Sequence, residues 1–456
     1  MRARLSVATM PLVGVLSLIV FAPAKTSAQY APGEQGSDNV EIVAHVPLAG
    51  ALAVADIEIE QDLDRPYAYV SRRTNPAGFQ VIDLSVPDDA KLIYSWFIEN
   101  AELHIGDALD GKYFKLDGRY YYVQSMTFEQ GGPDNDLGAV VFDVTGLPDP
   151  TTVREVGRIR APDTPGGFHN IYAYKHSTGR VLLFATTESP LSVPHGANVY
   201  DMELFLQGDA DYGLVSRIPL PEPRGAPRGY HDAFVGYDAA TGQDKFYGGG
   251  PETTYLGGNY VWDVTDITNP ELLVTQMAVM GQQSGGHTWV PTPDHRYAVS
   301  EMTSLAHAPL RFFDLKPALD GEVAVIRQPI GEWTADWKKS SHNMEIRWPY
   351  MFVSAYEDGL QIVNIRNPTN PRTVGFYDTY DEETAYTGGG VANGVFGVDV
   401  RNADGLIVVS DMHSGFWAFR MDGFTGWNGN DWGMPNVSSV QDWDNGPEGV
   451  RNVTFQ

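Results

Sequence analysis

GLQIVNIRNPTNPRTV, residues 359–374, decides the fold: a Gly, a short apolar run, one polar residue at Asn364, then a loop broken by two Asn-Pro pairs. Proline fixes φ and withdraws a backbone donor, so Asn367-Pro368 and Asn370-Pro371 punctuate two strands. The phrase recurs as GFQVIDLSVPDDAKLI from Gly78, GAVVFDVTGLPDPTTV from Gly138 and GNYVWDVTDITNPELLV from Gly258. Looser copies surround Asp201, Asp314 and Arg420. With the polar residue as anchor, Asp83, Asp143, Asp201, Asp263, Asp314, Asn364 and Arg420 are spaced by 60, 58, 62, 51, 50 and 56 residues. Strand-like text at such a period signals a propeller or related repeat.

Each repeat divides into four strands by period-two alternation and turn residues. In repeat six these are HNMEIRW from His342, PYMFVSAY from Pro349, GLQIVNI from Gly359 and PRTVGFYDTY from Pro371. Repeat five reads HTWVPTP, HRYAVSEM, LRFFDL and EVAVIRQ in the same order. Repeat seven lacks a good fourth strand, while NVEIVAHVPL from Asn39 reads as an orphan one. The expectation is an all-β, seven-bladed β-propeller of four-stranded blades, its last blade closed by the N-terminal strand.

Residues 1–28 read as a cleaved signal peptide: Arg2 and Arg4 precede an apolar run from Met10 to Ala22, and small residues follow. The propeller is assigned to 29–422 and an irregular tail or cap to 423–456. No lipobox Cys precedes the mature start, so the location expected is secreted or periplasmic. Without the leader, 28 basic residues face 58 acidic ones, a formal charge of −30. That balance disfavours nucleic acid and anionic membrane as partners, and the mature chain has no apolar run long enough for a span. The chain has no Cys, so disulfides and thiolate chemistry are excluded. Partners left open are a small-molecule substrate or an extracellular protein or polysaccharide.

The phrases GLQIVNIRNPTNP and NYVWDVTDITNP resemble the LVIVD-repeat proteins, especially the secreted bacterial group with varied C-terminal anchors. The resemblance covers nearly all of the mature chain. It implies a propeller and an exported location, and it implies no reaction.

Four of the eleven His begin first strands in similar words: GGFHNIY at His169, RGYHDAF at His231, SGGHTWV at His287 and SSHNMEI at His342. They precede their anchors by 32, 32, 27 and 22 residues, so they share one structural position. First strands line a propeller's channel, so four imidazoles are expected to face one axis. Glu188, Glu252, Glu301 and Glu357 lie on or after the matching second strands. Carboxylates there would orient the ring N–H groups. Neutral nitrogen donors suit a divalent transition metal, Fe, Cu or Zn. His104 and Asp110 are possible additional ligands, while Asp56, Phe396 and Asp399 fill the ring elsewhere. Iron or copper would imply oxidoreductase chemistry, and zinc hydrolysis or lyase chemistry. The sequence has no nucleophile elbow, P-loop or dinucleotide fingerprint, and it identifies no catalytic residue. The alternative reading is a non-catalytic interaction module, since propellers serve many functions.

Overall fold

In the computed structural model the described residues are 35–48, 53–73, 76–99, 107–127, 134–187, 196–221, 229–250, 258–277, 286–301, 308–380, 393–428 and 441–447. Residues 1–28, the expected signal peptide, lie outside this set. Gln35–Gln456 forms one compact unit. It is a seven-bladed propeller of four-stranded antiparallel sheets. The first strands of the blades are Val54–Ile59, Gly111–Leu116, Ile171–Lys175, Asp232–Asp238, Thr288–Pro291, Asn343–Arg347 and Val395–Val400. Blade seven takes its outer strand from the other end of the chain. Val40–Val46 pairs antiparallel with Gly415–Met421, so the ring closes through hydrogen bonds between the two ends.

In four blades the recurring glycine is explained by the approach of the third strand to the fourth, whereas Gly138 makes room for the Phe168 ring. A Cβ on Gly78, Gly196, Gly258 or Gly359 would run into the carbonyl of Trp96, Ile218, Gln276 or Tyr377 respectively, each at the outer strand of its own blade. Gly415 obeys the same rule against Val46 and Leu48, because the N-terminal strand is its outer neighbour. The polar anchor has an equally local cause. The side-chain oxygens of Asp83, Asp143, Asp201, Asp263, Asp314 and Asn364 each accept the backbone N–H two residues on, at 2.8 to 3.1 Å. These Asx turns lead the chain out of the third strand. Arg420 departs from the pattern, reaching Asp404 instead.

Blades pack through their side-chain faces. Between blades one and two, Tyr69 stacks on Tyr122 at 4.3 Å, and Phe79 packs on Tyr122 and Phe142 at 4.6 and 4.9 Å. Large buried rings bring both apolar area and edge-to-face complementarity, which holds adjacent twisted sheets in register.

Two expectations need comment. The stretch EVAVIRQ is not the fourth strand of blade five. Ile326 instead bridges in parallel to Gln276 of blade four, and the outer strand of blade five is Gly331–Trp333. Alternation alone cannot tell which sheet edge a strand-like segment will join. The tail has two described parts, 423–428 and 441–447. Trp427 donates its indole N–H to the carbonyl of Trp348, while Gln441 bonds the backbone of Ala173 and Lys175. Both contacts lie at the ends of first strands remote from the histidines. No helix among the described residues is long and apolar enough to cross a membrane.

Gly258→Ala should destabilise the fold by about 1–3 kcal/mol, since its Cβ meets backbone that cannot move without breaking the sheet. Urea unfolding measures this, and an unchanged midpoint would contradict the close-approach explanation.

Candidate functional site

Strand register assigns every first-strand residue to a level of the channel. His169, His231, His287 and His342 each donate a backbone N–H to the end of their own blade's second strand, at Thr186, Gly249, Glu301 and Ser354. The same register puts Ala55, Leu109 and Phe396 at this level in blades one, two and seven. One level therefore consists of four consecutive imidazoles and three apolar side chains.

The imidazoles touch in sequence. Ring centroids are 4.2 Å apart for His169 and His231, 4.0 Å for His231 and His287, and 4.8 Å for His287 and His342. Phe396 ends the arc, 3.8 Å from His342, and belongs to an apolar cluster with Ala55, Leu109, Tyr356 and Met412. The mouth is thus half imidazole and half hydrocarbon.

Burial sets the charge of two of these rings, His287 and His342. It pushes His287 well below its usual value, reinforced by His342 and His169. Burial likewise pushes His342 down to about 3, against the opposing hydrogen bond to Phe396. Both are neutral at physiological pH. His342 Nδ1 donates to the Phe396 carbonyl at 2.7 Å, which leaves Nε2 as its lone-pair nitrogen.

Glu301 is the clearest departure from the repeat. Its level in the second strand holds Ser71, Ser125, Thr186, Ser354 and Ser410 in five other blades, and Gly249 in blade four. The hydroxyls of Ser125, Thr186, Ser354 and Ser410 accept the first-strand N–H of Asp110, Asn170, Asn343 and Gly397. In blade five a buried carboxylate replaces the hydroxyl, and Glu301 Oε2 lies 3.0 Å from His287 Nδ1. The hydrogen bond of that nitrogen is to the Thr288 hydroxyl at 2.9 Å, and the carboxylate beside it favours a proton on Nδ1, which leaves Nε2 as the acceptor.

The other expected carboxylates are placed differently. Glu357 does not reach His342: it follows the end of its strand by three residues and faces Asn393 and Lys339. His342 uses the Phe396 carbonyl instead. Glu188, Glu252 and His104 lie outside the described residues. Asp56 and Asp110 stand one level beyond the histidines. Asp110 accepts the backbone N–H of Ile171 and pairs with Lys112 at 2.6 Å. That level also carries a polar girdle: Asp232 bonds Asn170, and Thr288 Oγ1 lies 2.9 Å from Asp232 and 2.7 Å from Asn343.

His176 and His295 sit at turns, yet both are buried and join blades. His176 Nε2 lies 3.0 Å from the Val264 carbonyl, and His295 Nδ1 lies 2.6 Å from the Tyr247 hydroxyl. Among the described residues, no three His, Asp or Glu side chains have donor atoms gathered as a bound metal would hold them. The histidine arc brings candidate donors into contact without converging them.

Deeper in the channel, Asp399 gives a pH signature. Burial first, then the Glu345 charge, pushes it up to about 7, while Arg347 and the N–H groups of Ile59 and Val400 oppose the shift. A raised carboxyl stabilises fully below its unfolded value of 3.8 and loses that contribution as pH rises through about 7. Wild-type protein should therefore lose stability from about pH 4 to 7 relative to Asp399→Asn, with no further loss above that range. Urea unfolding at stepped pH measures it, and parallel curves would refute the assignment.

Compared with known proteins, the chain matches no protein-family model, and no curated protein is significantly similar to it.

Proposed function

We propose that this chain is an exported propeller protein, of the kind the LVIVD-like phrases suggest, that binds a divalent transition metal ion at the channel mouth. His169, His231, His287 and His342 are the proposed ligands, with Glu301 orienting His287. The observation that carries the reading is the run of four imidazoles at one level of four consecutive blades, in ring contact. Unrelated structural demands need not select the same side chain four times, and the remaining blades satisfy that level with Ala55, Leu109 and Phe396.

The donor chemistry fits. Neutral imidazoles suit Fe, Cu or Zn. With metal–nitrogen bonds of about 2.0–2.1 Å, imidazoles at right angles around one ion would have centroids roughly 4.5 Å apart. The observed separations of 4.0 to 4.8 Å bracket that spacing. Gathering the nitrogens requires the rings to turn about their side-chain bonds. The apolar arc of Ala55, Leu109 and Phe396 would flank an open coordination position and favour a small substrate with little charge. Iron or copper there supports oxidoreductase chemistry.

Elemental analysis of protein purified without a histidine tag tests the reading. One equivalent of Fe, Cu or Zn is expected, and His231→Ala with His287→Ala should abolish it. Glu301→Gln should lower metal affinity by about 10–100-fold. Substoichiometric metal that the double substitution leaves unchanged would refute the proposal.

A further inference from the structure

Past the polar girdle, the channel contains a cavity of about 60 Å³. By the register of the first strands, its lower level consists of Glu58, Lys112, Tyr172, Phe234, Val290, Glu345 and Asp399 from blades one to seven in order. The order produces two unlike walls. Blades six, seven and one contribute Glu345, Asp399 and Glu58, while blades three and four, across the ring, contribute Tyr172 and Phe234 with centroids 5.2 Å apart.

Asp56, Asp110 and Asp232 also line this space, making six carboxylates. The cations paired with them are Lys112, which reaches Asp110, Asp56 and Glu58, and Arg347, which reaches Glu345 and Asp399. Six carboxylates thus face two cations in a largely buried place, and burial pushes Asp56, Glu58, Asp232 and Asp399 up, so part of the missing counter-charge is supplied by protons that a bound cation would replace. A second, independent observation concerns Tyr172. Its hydroxyl is shielded from solvent and finds no hydrogen-bond partner among the described residues, although the residue is only 7% exposed. Tyr172 lines the cavity together with Glu345 and Glu58, so its unsatisfied hydroxyl belongs to the wall of this space. A buried hydroxyl without a partner is costly, and a ligand group is the economical way to satisfy it.

We propose that the cavity binds a small organic ammonium ion. Its charge would face Glu345 and Glu58, its body would lie against the rings of Tyr172 and Phe234, and an ammonium N–H would be accepted by the Tyr172 hydroxyl. Aromatic faces attract desolvated cations, and carboxylates opposite them supply the counter-charge. A hard metal ion would instead require six or more oxygen ligands and would gain nothing from the ring wall. The Glu345 side chain keeps 23% of its surface exposed, so an entering ion finds it accessible. This site is separate from the histidine arc and does not depend on metal there.

Isothermal titration of the full chain with ethylammonium, tetramethylammonium and, separately, Ca²⁺ at fixed ionic strength tests the proposal. Saturable one-to-one binding of both ammonium ions is expected. Glu345→Gln and Phe234→Leu should each weaken it about tenfold or more. Tyr172→Phe should weaken ethylammonium but leave tetramethylammonium nearly unchanged, because only the former has an N–H to donate. His231→Ala with His287→Ala should retain ammonium binding, so the outcome is separable from the fate of the metal proposal. Circular dichroism and melting confirm that each variant folds. Absence of saturable binding by either ammonium ion would overturn the assignment. So would Ca²⁺ binding tighter than both with no effect of Phe234→Leu.

Discussion

The pairing of Val40–Val46 with Gly415–Met421 is the constraint on which the rest of the structure depends. It joins the two ends of the described propeller in one sheet and fixes seven blades around an axis. His45 stacks on Trp417 at 3.8 Å within that sheet, adding side-chain contact to the ladder. Closure also brings blade seven against blade one. Asp399 accepts the backbone N–H of Ile59, and Gln61 bonds the Val400 carbonyl and the Asn402 N–H. Without closure, residues hundreds of positions apart would not share a channel, and a sheet edge would be left open.

Repetition makes departures from repetition informative. Six anchors form the same turn and five glycines meet the same neighbouring backbone, so those positions are explained by architecture. The hydroxyls at the ends of second strands are explained the same way, because they satisfy first-strand N–H groups. Glu301 stands in that row and does something else: it reaches an imidazole. Tyr172 and Phe234 are a second departure, since they place an aromatic wall opposite three carboxylates in the same ring of side chains. Lys112 and Arg347 balance part of the resulting charge, and buried ion pairs of this kind hold their positions because losing either partner strands a charge.

The phrase at Gly359 made the repeat legible, and the spacing from each histidine to its anchor placed His169, His231, His287 and His342 together. That inference worked because strand length and turn chemistry are local. The carboxylates were harder to read. Glu301 and Glu357 already fall two residues apart in the aligned second strands, which excludes a shared pleat position, and in the structure one ends a strand while the other lies beyond it in a turn, so only the first comes near its imidazole. The missing signal was available in principle: Ser or Thr at the Glu301 level in five blades marks that position as distinct. The EVAVIRQ segment misled for a different reason, because its alternation suits an edge strand but does not specify which edge. His176 and His295 showed that a turn position does not imply solvent, since a neighbouring blade can bury a turn.

The sequence by itself determined the all-β class, the seven repeats, the closure by the N-terminal strand and the level shared by four histidines. Each follows from periodicity, turn residues and backbone sterics, all of which act over a few residues. Only the tertiary structure decided which side chains face one another across the axis. The ring contacts of the imidazoles, the Glu301 carboxylate on His287, and the acidic wall opposite Tyr172 and Phe234 all depend on the relative rotation of separate blades. That rotation is set by packing between sheets and by closure of the ring, and no local run of residues encodes it.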